Sequence, residues 1–360
     1  MAFVIGRKIV HPEYGEAIVR FVGEERIGLE FPDGQQALFK KDDLNKSPLD
    51  YDMAAAEGKT DIPWPQSTFI PDGEEEEHSP GAHWQPFVDD TGEILAKLPE
   101  YLKSAREKNA LGLLLKPERA LPEDWTKGFA LAWPSVQEGL AISIRIAAGV
   151  HEIVSVFPFT RGGSQHQLTV KKVRVWEDGL TAQIDALFGN AVLTFFDTDF
   201  VANRGWYEAE CSQEFLLTGL AYSARPAEIF EISVTHSPDE VAWFNQLLKS
   251  EEREPLQEEE TLSLRGMAML LPTDDGDWDE YSFRGEVLQI NPFSNFLGQN
   301  GWCVRVRVMR DMPDDLDLEI RITEKVWQGT QPLRVGDDIE GTLWLQGFLW
   351  STEPTDDDDG

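Results

Sequence analysis

Two carboxylates close the run TFFDTDF: Asp197 and Asp199, separated by Thr198. At a strand end, residues two apart point to one face, so this pair could hold Mg2+ for phosphoryl or nucleotidyl transfer. The pattern has only two residues and no companion phosphate loop, and a strand-end turn or cap is the plainer reading. His78 and His83 flank an acidic, Pro-rich segment, but two imidazoles five residues apart specify little metal chemistry. Asp274-Asp275-Gly276-Asp277-Trp278-Asp279-Glu280 fails the spacing of a calcium loop, because its glycine stands third rather than sixth. Gly162-Gly163-Ser164-Gln165-His166 sits between strand-like runs and lacks the strand-turn-helix context of a hydrolase nucleophile, so it reads as a hairpin loop. No Walker A, GxGxxG or HExxH pattern occurs. No cofactor is therefore expected, and an enzyme is the less favoured class.

The elements that must position these residues are mostly strands. Residues 1–45 alternate apolar and polar positions in three short runs separated by Gly- and Asp-containing turns, with Pro32-Asp33-Gly34 marking the last turn. Residues 46–90 are rich in Pro, Gly and acid without a sustained period, the composition of a linker or strap. Trp64, Phe69, Trp84 and Phe87 are its candidate anchors. Thr91-Gly92-Glu93 opens a helical segment (91–123) with Ile94, Leu95, Leu98, Tyr101, Leu102 and Ala105 on one side and a proline at 99. From 124 to 235 the period becomes two, giving a β domain. A helix starting at Ser237-Pro238-Asp239-Glu240 and an acidic linker fill 236–260, a further β domain spans 261–351, and an acidic tail occupies 352–360.

In the first of these segments, Gly6-Arg7-Lys8-Ile9-Val10-His11-Pro12-Glu13-Tyr14-Gly15-Glu16-Ala17-Ile18-Val19 is followed by strands ending Glu30-Phe31 and containing Ala37-Leu38-Phe39. This pattern resembles the Tudor/KOW-type SH3-like barrels found in UvrD/PcrA-type helicases, CarD-type transcription factors and RapA. It covers about an eighth of the chain. The resemblance implies a small barrel that docks on RNA polymerase or another protein, and it makes Tyr14 and Phe31 candidates for the docking surface.

Residues 170–223 and 283–350 repeat one order: three strands, a connector and a long fourth strand. The closest local match sets Glu214-Phe215-Leu216-Leu217-Thr218-Gly219-Leu220 against Glu340-Gly341-Thr342-Leu343-Trp344-Leu345-Gln346-Gly347-Phe348. Three strands, a connector and a strand with an interior glycine resemble the OB-fold, where a strand bends at a barrel corner. The expected fold is thus mainly β with a few helices (α+β): a small SH3/Tudor-like barrel plus two OB-like β-barrel modules, with generic five- or six-stranded barrels as the alternative to the latter.

An OB-like module invites single-strand nucleic-acid binding, which needs a basic groove with stacking aromatics. In the second copy Val304, Val306 and Val308 alternate with Arg305 and Arg307, and Leu316, Leu318, Ile320 and Ile322 alternate with Asp317, Glu319 and Arg321. The outward arginines then have acidic cross-strand partners. The first copy would present Thr181, Gln183 and Asp185 outward. Neither face is a phosphate groove. Phe293 and Phe296, in the loop expected from Asn291 to Gly298, are the aromatic residues expected to reach solvent, and with Arg305 and Arg307 they complete the candidate contact residues.

The chain of 360 residues carries 65 Asp+Glu against 32 Lys+Arg, a net charge of −33, which disfavours bulk phosphate binding and anionic membranes. Five stretches, 72–77, 251–260, 274–280, 311–319 and 356–359, hold 25 of the acids and a single base, Arg253. The acidity thus reads as solvated linkers, loops and tail. Two cysteines and no leader-like segment point to a cytoplasmic protein. The function expected is a non-catalytic multidomain adaptor acting through a protein partner, with nucleic-acid machinery such as RNA polymerase or a helicase as the candidate. The rivals are a single-stranded nucleic-acid-binding protein, an acidic mimic of nucleic acid, and a metal-dependent phosphoryl-transfer enzyme using Asp197 and Asp199.

Overall fold

The apolar and polar alternation resolves into strands. A computed structural model describes residues 8–11, 15–22, 26–30, 36–40, 50–51, 66–70, 83–108, 125–207, 209, 212–235, 241, 259–274, 276–310 and 315–351, and the chain is mainly β with two helices among those residues. None of the described helices is long and apolar enough to cross a membrane.

The N-terminal strands β1 (Lys8–His11), β2 (Gly15–Val22), β3 (Arg26–Glu30), β4 (Gln36–Lys40) and β5 (Asp50–Tyr51) form one sheet in the order β4-β3-β2-β1-β5. Ala17 and Val19, on one parity of β2, are buried with Leu29, which pairs with Val19. The fifth strand lies beyond residue 45, inside the stretch expected to be a linker. Tyr14 and Phe31 lie outside the described residues.

That stretch also supplies β6 (Gln66–Ile70), which adds a parallel strand to the main sheet, and a strap at 83–88. The strap is anchored by main-chain carbonyls. Lys325 Nζ donates to Gln85 O at 2.9 Å, Thr323 Oγ1 to Pro86 O at 3.0 Å and Gln299 Nε2 to Phe87 O at 2.8 Å. Trp84 and Phe87 are buried, as their anchor role requires. Helix α1 (Gly92–Ser104) follows, buries Ile94 and Leu98, keeps Pro99 in its interior and leaves Leu95 exposed. The helix expected from Ser237 falls almost wholly outside the described residues.

Strands β7 (Arg106–Glu107), β8 (Gly128–Pro134), β9 (Glu138–Ala147) and β10 (Val150–Thr160) make a four-stranded sheet in the order β10-β9-β8-β7. The first repeat copy contributes β11 (Ser164–Trp176), β12 (Ala182–Phe188), β13 (Ala191–Asp197), the one-turn helix α2 (Phe200–Asn203) and β14 (Ser212–Pro226). A two-stranded ribbon, β15 (Glu231–Thr235) with β16 (Glu259–Ser263), leads to the second copy: β17 (Met269–Pro272), β18 (Glu280–Phe296), β19 (Gln299–Arg310), β20 (Asp315–Thr323) and β21 (Asp338–Ser351). The sequence division sets 236–260 between two β domains, yet β11–β14 before it and β17–β21 after it belong to one ten-stranded sheet, β17-β18-β19-β20-β14-β21-β13-β12-β11-β6.

Two further pairings close circuits within that sheet. Strands β11, β12, β13, β21 and β14 each pair with the next, and β14 returns to β11. Strands β18, β19, β20, β14 and β21 do the same, with β21 returning to β18. The fourth strand of each copy therefore closes the other copy's circuit, parallel to its third strand. The β14–β21 register reads the same from both ends about Thr218↔Gln346: Leu217↔Gly347 mirrors Gly219↔Leu345, and Leu216↔Phe348 mirrors Leu220↔Trp344. The sequence match of Gly219 with Gly347 thus corresponds to an exchange symmetry of the pairing. The interior glycines serve this close approach. A Cβ on Gly347 would lie 2.7 Å from Leu217 Cδ2, and one on Gly219 would lie 2.9 Å from Leu343 Cδ2.

The expected parity of the second copy holds. Val304, Val306, Val308, Leu316, Leu318, Ile320 and Ile322 are all buried, each contributing about 1.5–3 kcal/mol. Exposed ion pairs on the reverse face add only about 0–1 kcal/mol each, so the aliphatic rows hold these strands together.

Candidate functional site

Asp197 ends β13 and Asp199 precedes α2, and both are buried. Asp199 Oδ1 receives Lys108 Nζ in a short contact, and Oδ2 lies 3.0 Å from Arg161 Nη2. Asp197 Oδ1 accepts the Asp199 N–H at 2.9 Å, and Oδ2 accepts the Tyr207 hydroxyl. All four carboxylate oxygens face donors of the chain itself, and the metal reading draws no support from that geometry. Lys108 lies over the Phe159 ring, 4.3 Å from its centroid. Burial pushes Lys108 down to about 8 against the attraction of Asp199. Burial alone would raise Asp199, but Arg161 and Lys108 outweigh it and hold the carboxyl below its ordinary range. Asp197 is pushed up to about 7 by burial, with Tyr207 opposing. The adjoining cavity has room for about one water molecule, so the cluster has the character of a buried ionic joint between the two large sheets.

A second cluster gathers residues the sequence singles out separately. His83 of the strap stacks on Trp344 of β21, with centroids 3.9 Å apart. Asp277 and Asp279 come from the turn before β18, where Glu280 N–H closes onto Asp277 O at 3.0 Å. One ring nitrogen of His83 and one oxygen from each aspartate lie within 4.8 Å of one another, and all three residues are buried. Tyr222 donates to Glu280 Oε1 at 2.9 Å and shares a short hydrogen bond with His83 Nδ1. Trp344 Nε1 donates to Asp279 Oδ2 at 3.0 Å, while Asp279 Oδ1 and Gln183 Oε1 are buried without a hydrogen-bond partner. Burial first and Asp277 second push the Asp279 carboxyl well above its ordinary range, against Trp344 and Gln183. Two ionised carboxylates at 4.8 Å or less repel by at least about 3 kcal/mol at an effective dielectric of about 20.

This cluster corrects two expectations. The acidic stretch 274–280 is not wholly solvated, since Asp277 and Asp279 are 2% and 0% exposed. Thr181, Gln183 and Asp185 do not face solvent: Thr181 is closed off by Asp178, which accepts its hydroxyl at 2.7 Å, and the chain at 278–281 lies over the other two. Tyr281 hydroxyl bonds the Thr194 backbone, and Trp278 covers Arg174, the partner of Asp185.

Among the candidate contact residues, Phe296 is corrected: it ends β18 and is 1% exposed, because Phe87 of the strap packs on it edge to face at 5.0 Å. Phe293 is half-buried, and Arg321 lies over both rings. Arg305 is exposed and pairs in register with Glu319, and Arg307 sits opposite Asp317, with Nε 3.1 Å from its Oδ1 and 2.9 Å from Asp315 Oδ2. Arg321 reaches Glu138 at 2.7 Å. The outward arginines are thus matched by acid.

The exposed apolar surface lies elsewhere. On one face of the β9–β10 hairpin the register aligns Ile144 with Ile153 and Ile146 with His151. Exposure along that face rises from 0% at Ile142 and 7% at Ile144 to 38% at Ile146 and 41% at Ile153. Strand β10 pairs only with β9 among the described residues. The alternation in EGLAISIRIA and HEIVSVF predicts these strands, but only the fold shows where their cover ends.

Compared with known proteins, the chain matches no family model, no curated protein and no solved structure.

Proposed function

We propose that this protein is a non-catalytic adaptor that acts through contacts with a protein partner. The carrying observation is the isoleucine row of β9 and β10, which runs from the core into solvent beside a strand edge that is unpaired among the described residues. An apolar row at a free edge is a surface on which an extended segment adds a strand and fills side-chain pockets. Two features support the finer architecture. The N-terminal five-stranded order fits a Tudor/SH3-like unit, and each five-strand circuit fits an OB-like unit with its closing strand exchanged. The acid-matched arginines of β19 favour a protein partner over single-stranded nucleic acid. If the N-terminal unit docks as its resemblance implies, the partner belongs to nucleic-acid machinery such as RNA polymerase or a helicase.

Affinity purification from the native cell, with the natural chain and with Ile146→Asp/Ile153→Asp, tests this proposal. A protein recovered with the first and lost with the second is the expected result. No recovered partner, or one retained by the variant, overturns the hairpin surface. A partner retained after deletion of residues 1–45 overturns Tudor docking. Tight binding of a labelled single-stranded oligonucleotide, weakened by Arg305→Ala with Arg307→Ala, would replace the adaptor with a nucleic-acid binder.

A further inference from the structure

We infer that His83, Asp277 and Asp279 form a structural binding site for a divalent cation of the Mn2+ or Zn2+ kind. The donor set is one imidazole nitrogen and two carboxylate oxygens, within 4.8 Å of one another, which small side-chain rotations bring inside the ~4.2 Å that ligands about 2.1 Å from a shared ion can span. Three features of the surroundings favour an ion over a bare acid pair. The Glu280–Tyr222–His83 hydrogen-bond chain holds the ring in place, the role a carboxylate partner plays behind a metal-bound histidine. Trp344 holds one oxygen of Asp279 and leaves the other, Oδ1, buried without a hydrogen bond. Gln183 acts on the same carboxyl, and both polar atoms of its amide are buried without a partner, so a turn of the amide can offer its oxygen to the ion or to a water bound to it.

The mixed nitrogen and oxygen set selects against Ca2+ and Mg2+, which prefer all-oxygen shells. The ion would cross-link the strap to the turn before β18, beside the stacking of His83 on Trp344 and the Tyr222 chain. No reaction is assigned to it, because Trp344 and the strap close the site.

The test uses the full chain, stripped with chelator and titrated with Mn2+ or Zn2+. Loss of the free Mn2+ electron paramagnetic resonance signal counts bound ions, and calorimetry gives the affinity for each metal. One ion per chain with a raised melting temperature is expected, and Asp279→Asn and His83→Gln should abolish both. Tyr222→Phe keeps every ligand and should weaken binding about 10–100-fold, which preserves the test if the ligand variants do not fold. Asp197→Asn should bind as the natural chain does. No bound ion at millimolar metal, or binding unchanged in Tyr222→Phe and in every folded ligand variant, overturns the assignment.

Discussion

Replacing Asp199 with asparagine removes one charge from the centre of the joint between the two large sheets while keeping the side chain's size. Lys108 and Arg161 both lose their carboxylate. Lys108 keeps the Thr198 carbonyl and can release its proton. Its pKa is already lowered to about 8, so becoming neutral at pH 7 adds only about 1 kcal/mol, at 1.36 kcal/mol per pH unit. Arg161 has no such escape, because a guanidinium does not deprotonate in proteins. Its lost charge-assisted hydrogen bond is worth about 1.5–3 kcal/mol. The expected loss is about 3–4 kcal/mol, within the range for breaking a buried pair. The lysine part should vanish as pH rises past about 8, since both proteins then hold it neutral, and the gap should narrow by about 1 kcal/mol between pH 7 and pH 9. Urea denaturation followed by tryptophan fluorescence at both pH values measures it. A loss under about 1 kcal/mol, or a gap that widens with pH, refutes the reasoning.

Asp197→Asn should flatten the dependence of stability on acid. The folded carboxyl is raised from 3.8 to about 7, so its contribution is full below pH 3.8 and is lost as pH climbs to about 7. Melting temperatures across that window should fall with pH in the natural chain and much less in the variant; parallel curves would defeat the idea. Gly347→Ala should cost about 1–3 kcal/mol by overpacking, because its Cβ meets Leu217 at 2.7 Å and the Phe195 ring at 2.8 Å. Gly219→Ala should cost less, since its one close neighbour is the Leu343 methyl at 2.9 Å and the next atom is 3.4 Å away. Thermal melts that rank the two variants the other way would contradict the packing account.

Strand existence and facing were legible wherever one face is buried. The Val304, Val306, Val308 row and its outward arginines follow from period two alone, and α1 from its apolar spacing and Thr91 start. Which strands share a sheet was not legible, because pairing between β13 and β21 depends on residues far apart in the chain and leaves no local pattern. The same holds for the side-chain clusters. His83 and Asp277-Trp278-Asp279 each looked inconclusive in isolation, and only the strap's docking makes them neighbours. Lys108 and Arg161 carry no signal in the sequence, since a base beside a glycine or among the charges of a short Arg-Glu-Lys run is ordinary. For Gln183 and Phe296 a local pattern, strand parity for one and a loop-like composition for the other, does not show whether a segment distant in the chain covers the side chain, as 278–281 covers Gln183 and the strap covers Phe296.

The exchanged strands also bear on how the chain is made. As synthesis proceeds from the N-terminus, β11 to β14 emerge while the strand that closes their circuit, β21, is still to come. Until it arrives, Phe195, Phe215 and Leu217 have no cover on that side, and the edges of β13 and β14 are open to foreign strands. Folding of the first copy therefore waits for the second, and the two copies reach the native state as one late, cooperative event rather than in succession.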